Sequence, residues 1–169
     1  MKKTSKALFL IFLLSIIITN QSVWAVIGIS VTPKVPGGWF ETISYWDLQA
    51  GAGSDLKSEY ESDIDTESID IAETAGSGDN WRVDVKKIDT NWDNDLMISI
   101  ERMSDGTGPG SISGGVAYMQ LTNTDQIFFS GSGDRSGIQV RIKISGVSVI
   151  NIFAGNYDTT LYYTVVDID

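Results

Sequence analysis

Apolar residues fall on alternate positions through most of this chain, and a period of two is the signature of a strand with one buried face. Trp81, Val83 and Val85 alternate with Arg82, Asp84 and Lys86, and Leu96, Ile98 and Ile100 alternate with Met97, Ser99 and Glu101. Ile138, Val140, Ile142 and Ile144 share one face, away from Gln139, Arg141 and Lys143. Ile27, Ile29 and Val31 alternate with Gly28 and Ser30 until Pro33, Pro36, Gly37 and Gly38 stop the pattern and read as a linker. The same reasoning predicts strands near residues 39–46, 147–153 and 157–166, with weaker ones at 116–121 and 126–129. Gly76-Ser77-Gly78-Asp79 and Gly131-Ser132-Gly133-Asp134 each precede an alternating stretch, and residues 105–115 form a glycine-rich turn region around Pro109. Seven to nine short strands with this punctuation predict an all-β, single-domain antiparallel sandwich with Ig-like or pilin-like Greek-key connections, and a closed barrel as the alternative.

Residues 48–65 break the pattern. Glu59, Glu61, Asp63, Asp65 and Glu67 have the same parity as Ile69 and Ile71, so one straight strand would place five acids on the core face. The expectation is a solvated loop to about Thr66, then a bulge or turn before a short buried strand at residues 68–72.

The first 25 residues have another logic. Lys2, Lys3 and Lys6 precede an apolar run at residues 7–18, and Val23-Trp24-Ala25 supplies an apolar, small-ended cleavage site. This reads as a signal peptide cut before Val26, too short to span a bilayer comfortably. The remaining 26–169 is one domain's worth of chain, with residues 26–38 as an N-terminal strand and linker.

Charge and composition narrow the function classes. The net charge is −10, and loss of Lys2, Lys3 and Lys6 takes it to −13, a surface that repels phosphate backbones and anionic lipid headgroups. Nucleic acid and membrane are therefore poor partners after cleavage, whereas a cation or an uncharged partner such as a glycan suits this surface better. Cysteine and histidine are both absent, which removes disulfides, thiolate chemistry and the commonest general base.

Candidate chemistry is sparse. Asp89, Asn91, Asp93 and Asp95 place oxygens at alternate positions, as the first half of a calcium loop does, yet Asn94 stands where a glycine belongs and Ile100 where a closing glutamate belongs. The competing reading is an Asp/Asn-rich hairpin between strands ending near Ile88 and starting near Leu96. Ser54-Asp55-Leu56-Lys57 has the serine–lysine spacing of penicillin-recognising enzymes without their companion motifs. Tyr45, Trp46, Trp92 and Tyr118 are candidates for a sugar-stacking platform, and Trp92, set among acids and amides in an expected turn, is the best candidate for an exposed aromatic contact. Nothing here amounts to a catalytic constellation, and no cofactor is expected.

Ile144-Ser145-Gly146-Val147-Ser148-Val149, followed by Gly155-Asn156-Tyr157-Asp158-Thr159-Thr160-Leu161-Tyr162-Tyr163-Thr164, resembles the closing strands of secreted pilus-subunit-like sandwiches, including the spore coat protein U group. The resemblance implies a structural role in which a strand of one subunit completes the sheet of another. Ile27, Ile29 and Val31 on a proline–glycine tether would suit such an assembly strand, or else form the first strand of their own domain. The expected function is an exported, non-catalytic structural or adhesive component of the cell surface or extracellular matrix, with a secreted glycan- or calcium-binding module as the alternative. A periplasmic location fits the same signal.

Overall fold

A computed structural model describes residues 26–169; the expected signal peptide and its cleavage site at Ala25 lie outside or at the border of the described residues. The described residues are all-β, with ten strands and, among them, one short 3₁₀ turn at Tyr45–Asp47. The strands are β1 (Gly28–Pro33), β2 (Glu59–Glu61), β3 (Glu67–Ala72), β4 (Asn80–Asn91) and β5 (Met97–Arg102), then β6 (Ile112–Gly114), β7 (Met119–Gln120), β8 (Gln126–Ser132), β9 (Arg135–Ser145) and β10 (Asp158–Asp167).

Two antiparallel sheets result. The first runs β1-β3-β9-β5-β7 with β2 also paired to β9, and the second runs β10-β4-β8-β6. From β3 onward each strand passes to the other sheet, so no two successive strands pair. Instead the chain is nested: β3 pairs β9, β4 pairs β8 and β5 pairs β7, with β6 near the tip. Inward residues of both sheets meet in one core, where Ile69, Ile71, Ile100, Ile138 and Val140 face Trp81, Val83, Val85 and Phe129. Trp81 is fully buried, its Nε1 donates to Gly133 O at 2.9 Å, and its ring meets Phe129 edge-on. The indole thus buries its apolar area without orphaning its one donor.

The acidic stretch solves its parity problem with an interruption. Tyr60 points inward from β2 while Glu59 and Glu61 face Lys143 and Arg141 at 3.6 Å; Ile69 and Ile71 point inward from β3. Even positions are buried before residues 62–66 and odd positions after. Ser62 makes the switch possible: its backbone N donates to Ile142 O and its Oγ accepts from Ile142 N, both at 2.9 Å, so Ile142 keeps both backbone partners where the chain turns. The expected loop to Thr66 is therefore shortened by β2, whose buried residue is a tyrosine hidden among acids.

Three other expectations change. Residues 39–46 form no strand, because apolar side chains occupy both parities and Ser44 and Asp47 close a capping box that starts the 3₁₀ turn. Residues 147–153 form no strand either: Gly146 turns the chain at φ +84°, and Asp55 accepts from the Ser148 hydroxyl and the Val149 N–H. The turn at residues 92–96 is not a hairpin, since β4 and β5 lie in different sheets. The glycine-rich region also contains β6 and is packed rather than loose. Buried Arg102 and Arg135 donate to carbonyls of Ser104, Asp105, Gly110 and Gly114. A Cβ on Gly108, at φ +150°, would sit 2.1 Å from Asp134 O.

Candidate functional site

A cleft of ≈ 1030 Å³ opens where the two sheets part. Ile98 of β5 and Ile142 and Ile144 of β9 line it from the first sheet, and Leu161 of β10 from the second. Two irregular segments complete the walls, residues 37–43 and 147–157, so the stretches that failed to become strands are the ones that enclose it. Trp39 is half-buried and packs against the cores on both sides of this opening. The cleft has exposed apolar residues at its edge: Phe40 is 75% exposed and Phe153 84%. Tyr45 and Trp46 stand beyond it on the 3₁₀ turn with ring centroids 4.3 Å apart, Trp46 being 80% exposed.

One polar pair belongs to this cleft. Glu67, the first residue of β3, lines it, and Glu67 Oε2 accepts the Tyr163 hydroxyl of β10 at 2.5 Å, tying the two sheets together. Burial pushes the Glu67 carboxyl above its ordinary 4.5, and the Tyr163 hydrogen bond opposes that rise. Burial and the adjacent carboxylate hold the Tyr163 phenol far above its usual range.

The sequence-derived candidates are not gathered into one place. Asp89 sits in β4 on Lys87 at 2.6 Å and accepts from Thr159; burial pushes its carboxyl up, but these hydrogen bonds outweigh it and leave it below the usual range. Asn91 donates to Asn156 O, and Asp93 accepts from the Asp95 backbone N–H. Among the described residues no group of three or more acids is arranged to hold a metal ion. Trp92, expected to be exposed, is half-buried: Nε1 donates to Leu96 O at 2.8 Å and the ring lines the cleft, with the Lys87 ammonium 5.6 Å from its centroid. Of the proposed sugar platform, the structure joins only Tyr45 to Trp46. Tyr118 lies under Lys143 at 4.3 Å beside Glu61, Glu101 and Arg141, where burial pushes its phenol up to about 12. Ser54 Oγ is tied into its own turn, donating to Gly51 O, while Lys57 lies over the Tyr60 ring. Ile27 is buried in the core, and Ile29 and Val31 pack on it from β1, paired to β3 of the same chain.

Sequence reasoning missed the cleft and Glu67. Glu67 was hidden as the last member of an acidic run, and its one distinguishing signal was the parity shared with Ile69 and Ile71. Compared with protein-family models, curated proteins and solved structures, the chain matches none of them.

Proposed function

We propose that this chain is an exported, non-catalytic component of the cell surface or extracellular matrix that works by binding, with the cleft between the sheets as its binding site. The observation that carries this is the cleft itself: a concavity of ≈ 1030 Å³ whose aliphatic and aromatic side chains are mixed with polar ones, Glu41, Glu67, Asn156 and Asp158 among them, has the size and the mixed lining of a ligand site. The nested pairing β3·β9, β4·β8 and β5·β7 supports a sandwich of the jelly-roll kind, two Greek keys wrapped together, more than an Ig-like one. The apolar rim and the paired rings of Tyr45 and Trp46 support adhesion, since apolar patches on a soluble surface mark contact sites and exposed rings stack on sugar faces.

Thermal shift against panels of glycans and small amphiphiles tests the reading. A ligand at a hundredfold excess over its Kd adds about 2.7 kcal/mol to the folded state, which a melt resolves easily. The stabilisation is lost in Phe153→Ser if the cleft is the site, or in Trp46→Ala if the exposed rings are. No stabilisation by any panel member overturns the proposal.

A second reading is assembly by strand exchange, in keeping with the resemblance to pilus-subunit-like and spore coat U-like sandwiches. It is favoured by the position of β1, an edge strand with one sheet neighbour, joined to β2 by residues 34–58. Such a strand has one neighbour to release, and exchange would return the burial of Ile27, Ile29 and Val31 in the groove of another copy.

A further inference from the structure

Building on the cleft as a ligand site, we infer that its guest is an organic cation with an apolar body, such as a quaternary or primary amine carrying an aliphatic chain. The sign comes from the walls. The charged residues lining the cleft are Glu41, Glu67 and Asp158, all acids, and neither lysine nor arginine is among them. Among the bases nearby, Lys34 holds Asp63 and Asp65, Lys87 holds Asp89, and Lys57 lies over the Tyr60 ring. An apolar cavity bounded by carboxylates and without a base attracts a cation and excludes an anion of the same shape.

The aromatic lining agrees. Trp39, Trp92 and Tyr157 bring electron-rich rings to a space that an ammonium group can enter, and Trp92 already accepts one such contact from Lys87 at 5.6 Å. Glu67 supplies the acceptor: Oε2 is occupied by Tyr163, and Oε1 makes no hydrogen bond among the described residues. Burial disfavours the ionised form of this carboxyl, and an ammonium ion beside it would offset that penalty. The remaining lining is aliphatic, with Leu96, Ile98, Ile142 and Ile144 offering surface for a chain of several carbons.

Three probes with the same tail separate charge from shape: octyltrimethylammonium, octanol and octanoate, titrated into the full domain and followed by calorimetry and tryptophan fluorescence. The expected order is ammonium tightest, by about tenfold over octanol, with octanoate weakest. Glu67→Gln keeps an acceptor for Tyr163 while removing the charge, so it erases the ammonium preference and leaves octanol binding unchanged. Glu41→Gln, on an exposed segment outside the strands, weakens the same preference without touching the core. Equal binding of ammonium and octanol, or tighter octanoate, overturns the cation assignment while leaving the cleft as a ligand site. Failure of all three to bind overturns both.

Discussion

At the scale of single residues, the pair Glu67 and Tyr163 makes the sharpest prediction. Glu67 has its folded pKa raised above the unfolded value, so its contribution to stability is full below the ordinary 4.5 and is lost as pH rises through the folded value. Replacing it by glutamine removes that loss, and the difference in melting temperature between Glu67→Gln and the parent therefore grows in the variant's favour as pH climbs from acid toward neutral. Tyr163→Phe acts oppositely at neutral pH. It strips the ionised carboxylate of its hydrogen bond, costs about 1–3 kcal/mol, and steepens the pH dependence. A pair of melting curves across pH, flat in both variants and parent, would remove Glu67 from the account of the cleft. Residues such as Trp81 and Ile138 were legible from alternation alone, because a core position needs only the right parity. Glu67 was not, because its environment is made by Tyr163, 96 positions away.

At the scale of elements, period two located β3, β4, β5, β9 and β10 and failed where parity carries no information. Residues 39–46 are apolar on both faces, and Val147 is buried without belonging to a strand. Pairing was also illegible: Gly76-Ser77-Gly78-Asp79 reads as a turn before a strand, and it carries the chain from one sheet to the other. Turn chemistry fixes a local change of direction and says nothing of which strand lies alongside. The edge strand β1 bears the test of strand exchange. Ile29→Asp places a charge against the core and is expected to cost about 2 kcal/mol or more if β1 stays home. Size exclusion and melting of the variant distinguish the cases: a destabilised monomer with no change in association sinks exchange, while loss of a concentration-dependent polymer supports it.

At the scale of the whole molecule, charge and topology dominate. A net charge of −10 sets the compact state against itself, while exposed ion pairs, such as those of Lys34 with Asp63 and Asp65, are each worth little. Screening should therefore help more than it harms. The melting temperature is expected to rise between low salt and about 0.3 M sodium chloride, and a fall would mean that the charge networks on β9 outweigh the general repulsion. The nested ribbon has a kinetic consequence as well. Its pairings require β3 to find β9, and the cleft further requires residues 37–43 to meet residues 147–157. Closures over such long stretches of chain come late and slowly. The pocket is thus expected to form after the strand pairings on refolding, so a ligand that enters it would report complete folding, and binding followed during refolding checks this order.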